Sequence, residues 1–141
     1  MDGFRGYVSS RLIGGARVPQ HVQNLVIREY CKKTKLHFLL SSTEVAMPNA
    51  YLIFEQLLNE LFEIAGIVCY SIHQLPQDFE ERRRMIHRVI RAKRTVHFAI
   101  EEMVVNSLDG IMNLETILAI ESELTDCLTA EDLKRACQGE I

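Results

Sequence analysis

The chain has 141 residues, of which 48% are hydrophobic and 25% are charged, and its formal net charge at pH 7 is −3. This composition is typical of a globular domain and excludes disordered, collagen-like and low-complexity chains. The length predicts a single α/β domain over residues 1–141, and the lack of a signal-peptide pattern or a bilayer-length apolar run predicts a cytoplasmic protein with no membrane partner.

Strand and helix patterns alternate through the first half of the chain. Residues 4–9 form a short apolar run typical of a buried strand, and an amphipathic helix follows over residues 19–33. The pattern predicts that one face packs inward, formed by Val18, Val22, Leu25, Val26 and Tyr30. Residues 36–40 predict a second strand, and a helix beginning at Asn49 carries an apolar stripe that ends before Gly66.

The second half begins with a strongly apolar segment. Residues 67–72 predict a third strand, because β-branched and aromatic residues fill both of its faces. A third helix follows, with Asp78 as its N-cap and Glu81 at the capping-box position. Residues 95–100 predict the fourth strand.

Two C-terminal helices complete the prediction. The first spans about residues 114–128, and Thr129 with Asp132 predicts the cap of a short terminal helix. The resulting order favours an α/β fold with an open four-stranded parallel sheet, strand order 2-1-3-4, flanked by helices in a resolvase-like or flavodoxin-like arrangement. The helix from residue 114 has an apolar surface wider than one stripe, which predicts a homodimer.

Polar residues follow all four predicted strands. In open parallel sheets, ligands bind at the carboxyl ends of the strands where the strand order reverses, here between strands one and three. Ser9, Ser10, Arg11 and Arg17 follow strand one, and His73, Gln74 and Gln77 follow strand three. Glu44 and Asn49 follow strand two, and Glu101 follows strand four. The first helix begins with Gln20 and His21.

These residue types suggest chemistry on an anionic ligand. Arg11 and Arg17 near a helix N-terminus favour a phosphate or carboxylate, and His73 with Glu44 or Glu101 could transfer protons. The other polar residues would orient hydroxyl groups or contact the ligand, namely Ser9, Ser10, Gln20, His21, Asn49 and Gln74. The alternative interpretation is that these residues are polar only because loops are solvated.

Known cofactor motifs are absent from the sequence. Without a G-x-G-x-x-G or Walker sequence, no nicotinamide, flavin or nucleotide cofactor is expected, and no G-x-S-x-G elbow supports a serine nucleophile. The four cysteines, Cys31, Cys69, Cys127 and Cys137, are widely spaced, so we expect reduced thiols and no metal site.

A basic segment lies in the predicted third helix and just after it. Seven cations fall within thirteen residues, namely Arg82, Arg83, Arg84, Arg88, Arg91, Lys93 and Arg94. One interpretation is a solvated face paired with neighbours such as Glu80 and Glu81. The other is a surface for a phosphate backbone or another anionic partner.

Long stretches resemble the sporadic carbohydrate cluster proteins of bacterial surface-polysaccharide gene clusters. These stretches are "RGYVSSR", "RVPQHVQNLVIREYC", "LLSSTEVAMPNAYLIFEQLL" and "GIVCYSIHQLPQD". The resemblance implies surface-carbohydrate biosynthesis and a sugar phosphate, nucleotide sugar or acidic sugar as ligand, without naming a reaction.

A more distant resemblance is to the catalytic domain of serine recombinases (resolvases). It rests on "GYVSSR" and on the segment that begins "GIVCYSIHQLPQD". The recombinase arginine falls on Ser9 and the nucleophilic serine on Arg11, while an aspartate and two arginines of the family fall on His73, Gln74 and Gln77. The residues that cleave phosphodiesters are therefore replaced, and neither DNA strand exchange nor a nucleic-acid partner is expected.

The sequence as a whole favours a sugar-modifying enzyme of the isomerase, epimerase or lyase type. A non-catalytic module that binds a sugar or a protein partner is the first alternative. A recombinase-like nucleic-acid binder without strand-exchange chemistry is the second.

Overall fold

Five strands and four helices form the described part of the chain in a computed structural model, which covers residues 3–45 and 50–138 and, beyond residue 123, the backbone alone. The elements are β1 (Gly3–Ser9), α1 (Gln20–Thr34), β2 (His37–Glu44), α2 (Leu52–Asn59), β3 (Gly66–Cys69), α3 (Phe79–Arg91), β4 (Thr95–Phe98), β5 (Met103–Val105) and α4 (Leu108–Gln138). One 3-10 turn, Ile72–Gln74, follows β3.

The sheet has the strand order β2-β1-β3-β4-β5. The first four strands are parallel, and the predicted α/β class and inner order 2-1-3-4 are confirmed. The predicted strand number is corrected from four to five, because β5 pairs antiparallel with β4 at the edge. A tight turn joins these two strands, with Glu102 at φ +50°. Three residues are too few to show an alternating pattern, so sequence analysis missed β5.

Helices cover both faces of the sheet. On one face, Tyr7 of β1 and Ile67 of β3 pack in a core with α2, α3 and α4. On the other face, Val8 of β1 and Val68 of β3 pack with α1. Because side chains alternate across a strand, β1 and β3 contribute to both cores and are buried on both faces.

The inward face of α1 differs from the predicted one. Its buried residues are Gln23, Ile27, Tyr30 and Cys31, whereas Leu25 is 61% exposed. The prediction from apolar residues missed this face because it contains Gln23, a polar residue whose amide is buried and hydrogen-bonded.

Cys31 and Cys69 are free cysteines in the interior. Burial raises the pKa of the Cys31 thiol to about 11 and also raises the pKa of Cys69.

A buried histidine joins α1 to β4. The His97 imidazole contacts Tyr30 Oη through Nδ1 at 2.7 Å and Thr95 Oγ1 through Nε2 at 3.2 Å. Phe4 packs edge-on against the same ring. Burial lowers the pKa of His97 from its ordinary 6.5 to about 4, so the imidazole is neutral in the fold near neutral pH.

The C-terminal region is one helix, not two. The backbone stays helical from Leu108 to Gln138, so the predicted cap at Thr129 and Asp132 is wrong. Threonine and aspartate favour caps, but inside a helix each costs no more than about 0.7 kcal/mol relative to alanine.

Within the described residues, no helix combines the length and apolar character needed to cross a bilayer.

Candidate functional site

The segment after β1 forms a small hairpin, residues 13–16, which packs against the 3-10 turn that follows β3. Ile13 and Ala16 exchange two backbone hydrogen bonds of 2.7 and 3.0 Å, and Gly14 and Gly15 between them adopt φ angles of +58° and +83°. These left-handed angles favour glycine. A Cβ on Gly14 would lie 3.5 Å from the His73 ring, so the hairpin lies against that imidazole.

Arg11 and His73 line one concavity of about 490 Å³ at the carboxyl ends of β1 and β3. Tyr51, Asp78 and Glu81 also line it. His73 is in addition a wall of two neighbouring hollows, of about 770 and 660 Å³. The shared concavity therefore carries charges of both signs.

Arg11 is held from several sides. Its guanidinium lies 4.1 Å from the centre of the Tyr51 ring, and Nη2 donates to Tyr7 Oη at 2.9 Å. The same nitrogen lies 3.7 Å from Glu44 Oε1. Its Nε is buried and lacks a hydrogen-bond partner among the described residues. These contacts hold the guanidinium largely inside the protein.

Glu44 stabilises the start of α2. Its carboxylate accepts hydrogen bonds from Tyr7 Oη at 3.0 Å and from the backbone N–H of Ile53 and Phe54 at 3.1 and 3.4 Å. A carboxylate at a helix N-terminus satisfies free N–H groups and interacts favourably with the helix dipole. Burial, together with Glu44, raises the pKa of Tyr7. Glu44 is thus fully engaged in structural contacts.

Three buried side chains form a closed amide network between β1, α1 and the 3-10 turn. The Gln23 amide bonds both the N–H and the C=O of Ser9, at 3.0 and 2.7 Å. Gln74 Nε2 donates to Ser9 Oγ and to Gln23 Oε1, each at 3.1 Å. Gln74 Oε1 accepts from the N–H of Tyr70 at 2.8 Å. Ser9 and Gln74 therefore use their polar atoms inside the fold.

His73 pairs with a carboxylate that sequence analysis did not select. Its Nε2 lies 2.9 Å from Glu121 Oε2 on α4. Glu101 instead accepts hydrogen bonds from Ser71 Oγ at 2.7 Å and from the Ile72 N–H at 3.0 Å. Glu44 faces Tyr7 and α2, so His73 bonds neither of the two carboxylates considered for it.

The remaining candidates are distributed around this region. Ser10 Oγ donates to the Glu44 carbonyl at 3.2 Å. Arg17 is exposed before α1, Gln20 and His21 are exposed in its first turn, and Asn49 lies outside the described residues. Among residues that sequence analysis missed, Gln23 carried a signal: it lies four and seven residues before Ile27 and Tyr30, on one helical face. Tyr51 and Glu121 depend on long-range packing and carried none.

The arginines of α3 lie partly in the interior and partly at the surface. Arg82 is 9% exposed and pairs with Glu115 of α4. Arg84 pairs with Glu81 and Glu55, and Arg88 with Glu55. Hydrogen bonds that Arg84 donates to Glu81 and Glu55 raise its pKa. The prediction of pairing with Glu81 is confirmed, whereas Glu55 of α2 was not foreseen.

The outer side of α3 forms a shallow concavity of about 290 Å³, which we call the α3 groove. Its walls are Glu80, Arg83, Arg84, His87, Arg88 and Arg91. Four arginines and a histidine line the groove with one acidic residue. Glu55 and Glu81 pair with two of these arginines, so the surface keeps a small excess of positive charge, which favours anions. Among the described residues, no cluster of three or more histidine, cysteine, aspartate or glutamate side chains could hold a metal ion.

Comparison with solved structures identifies the fold. The N-terminal catalytic domain of TP901-1 integrase matches with a TM-score of 0.57 and 16% identity, over 85% of this chain and 98% of that chain. A resolvase family site-specific recombinase from Streptococcus pneumoniae matches with a TM-score of 0.61 and 8% identity, over 96% of this chain and 99% of that chain. No family model and no curated protein sequence matches.

These findings correct the functional expectations. The predicted role in surface-carbohydrate biosynthesis is wrong, together with the sugar or nucleotide-sugar ligand, because the similar structures are recombinase and integrase catalytic domains. Membership in the carbohydrate cluster family is not supported by any family model. The exclusion of nucleic acid as a partner is wrong on the same ground, while the resolvase-like fold is confirmed.

Proposed function

We propose that this protein is a resolvase-fold domain that binds nucleic acid without cleaving it, and that the α3 groove contacts the phosphate backbone. The observation that carries the proposal is the concentration of Arg83, Arg84, Arg88 and Arg91 in one groove. Guanidinium groups suit phosphate, and backbone contacts supply most of the sequence-independent affinity for nucleic acid. The fold shared with recombinase and integrase catalytic domains supports the same class of partner.

The proposed absence of cleavage rests on the concavity at the carboxyl ends of β1 and β3, which we call the crevice. Ser9, where the resolvase pattern has an arginine, is buried and bonded to Gln23 and Gln74. Arg11, where that pattern has its nucleophilic serine, has no hydroxyl group to attack a phosphodiester. Gln74 replaces an arginine and is 1% exposed. At these described positions, the crevice therefore presents neither the nucleophilic hydroxyl nor the free cations that the resolvase pattern places around a phosphate.

Duplex DNA of random sequence is expected to bind with strong salt dependence. Three neutralised phosphates would lower the affinity about 40-fold between about 50 and 200 mM salt. Arg83→Glu with Arg91→Glu is expected to reduce affinity at least tenfold, because both cations are exposed and their reversal repels phosphate (about 1.4 kcal/mol per tenfold). Fluorescence anisotropy with labelled duplex measures both effects, and a supercoiled plasmid should remain uncut.

The matched control is Lys32→Glu with Lys35→Glu. It changes the net charge equally but alters exposed residues at the end of α1, on the other face of the sheet. This variant should keep most of the affinity. Equal losses in the two variants, or wild-type affinity that does not depend on salt, would contradict the proposal.

A homodimer through α4 is part of the proposal. Met112 and Ile120 are 67% and 51% exposed and lie, with Thr116, on the side of α4 opposite the buried Ile111 and Leu114. A second copy of α4 would cover this apolar stripe by an isologous contact, in which the same residues meet from both chains.

Sedimentation velocity should give twice the mass of one chain, and Met112→Glu with Ile120→Glu should give the monomer. Two buried carboxylates facing their symmetry mates repel and lose hydration. Leu25→Glu with Leu40→Glu, which alters exposed residues of α1 and β2, is the control and should leave the dimer intact. Dissociation by the control alone would place the interface elsewhere.

A further inference from the structure

One carboxylate of α2 bridges two arginines of the α3 groove. Glu55 Oε2 accepts from Arg88 Nη1 at 2.7 Å, and Glu55 Oε1 accepts from Arg84 Nη2. Each arginine donates a further hydrogen bond, Arg84 to Glu81 and Arg88 to Asn59 Oδ1 at 2.7 Å. An acidic group of the neighbouring helix α2 therefore already bonds two of the arginines that line the groove.

The spacing of the two arginines suits a phosphate. Arg84 and Arg88 are one turn apart on the same helix, about 6 Å along its axis, so their side chains lie side by side. Each guanidinium presents several N–H donors, and carboxylate and phosphate oxygens accept from such donors with the same geometry. Glu55 thus makes the contacts that a phosphate oxygen pair would make.

The ion pairs of Glu55 with Arg84 and Arg88 are exposed enough for another anion to replace the carboxylate. The side chains of Arg84, Arg88 and Glu55 are 46%, 34% and 32% exposed. Ion pairs at this exposure are weak, because water screens the charges and long side chains lose conformational freedom. A polyanion that also contacts Arg83 and Arg91 gains several charge contacts at once, and it can therefore displace a single carboxylate.

We propose that Glu55 occupies the position of a backbone phosphate between Arg84 and Arg88, and that a phosphodiester displaces it when nucleic acid binds. The inference rests on the proposed nucleic-acid binding. Its consequence is a built-in competitor that weakens binding and discriminates against small anions, since a single phosphate gains too few contacts to replace Glu55.

Glu55→Gln is the direct test, with Glu63→Gln as the matched control. Both remove one negative charge, and Glu63 is exposed in the connection after α2. Glu55→Gln should bind labelled duplex DNA three- to tenfold more tightly than wild type. Its affinity should also fall more steeply with salt, because Arg84 and Arg88 then hold counterions that binding releases. Glu63→Gln should match wild type.

A second variant separates position from charge. Glu55→Asp keeps the negative charge but withdraws it from both guanidinium groups by one methylene, so its affinity should lie between those of wild type and Glu55→Gln. Equal affinities of Glu55→Gln and Glu63→Gln would overturn the inference while leaving the α3 groove in place. If wild type and Glu55→Gln both fail to bind DNA, the proposed function falls and this inference with it.

Discussion

Arg82→Met is expected to destabilise the fold by about 3–5 kcal/mol, because it breaks a buried charge pair from one side. The Arg82 guanidinium donates from Nε to Glu115 Oε2 at 2.6 Å and from Nη1 to the carbonyls of Pro76 and Gln77 at 2.9 and 3.0 Å. Its loss leaves the Glu115 carboxylate of α4 and two carbonyls without their donor. Urea unfolding followed by circular dichroism measures the change.

Two further variants identify the cause. Arg83→Ala, one residue along but exposed, should change the unfolding free energy by less than about 0.5 kcal/mol. Arg82→Met combined with Glu115→Leu should recover much of the lost stability, since no unpaired charge then remains. A double variant no more stable than Arg82→Met would show that packing, not the lost pair, is responsible.

Acid is expected to weaken the fold through His97. Its pKa is about 4 in the fold and 6.5 ordinarily, so above pH 6.5 neither state binds the proton and the contribution is constant. Between pH 6.5 and 4 the unfolded chain takes up a proton that the folded chain excludes, and stability falls as pH falls, by up to about 3 kcal/mol at pH 4. Unfolding free energies across this range measure the effect.

The difference between wild type and His97→Gln isolates this contribution. The variant cannot titrate, so its stability should decline less between pH 6.5 and 4, although loss of the contacts to Tyr30 and Thr95 lowers it at neutral pH. His37→Gln, at an exposed position, should retain the wild-type pH dependence. Parallel profiles for wild type and His97→Gln would exclude His97 as the cause.

The layout of the sheet could be predicted because it depends on local patterns. Apolar strands separated by helices require parallel pairing with right-handed crossovers, and this placed β1 beside β3. The meeting of Arg11 and His73 at one concavity follows from the same topology. Two elements were not predicted correctly. The strand β5 is only three residues long, and α4 continues through residues that were expected to end one helix and begin another.

The roles of the site residues could not be predicted, because they depend on partners distant in sequence. Gln74 meets Ser9 across 65 positions and Gln23 across 51. A serine or glutamine after a strand carries no sign of whether its polar atoms face solvent or another amide. The same limit hid Glu55, whose two arginine partners lie on another helix.

The closed amide network has a consequence for how the crevice could change by mutation. Arg11→Ser alone would supply a hydroxyl but remove the cation beside buried Glu44. Ser9→Arg alone would bring a long charged side chain to a fully buried position. Each of these two single substitutions towards the resolvase pattern is expected to destabilise the fold, so a chain that acquired them one at a time would pass through less stable intermediates.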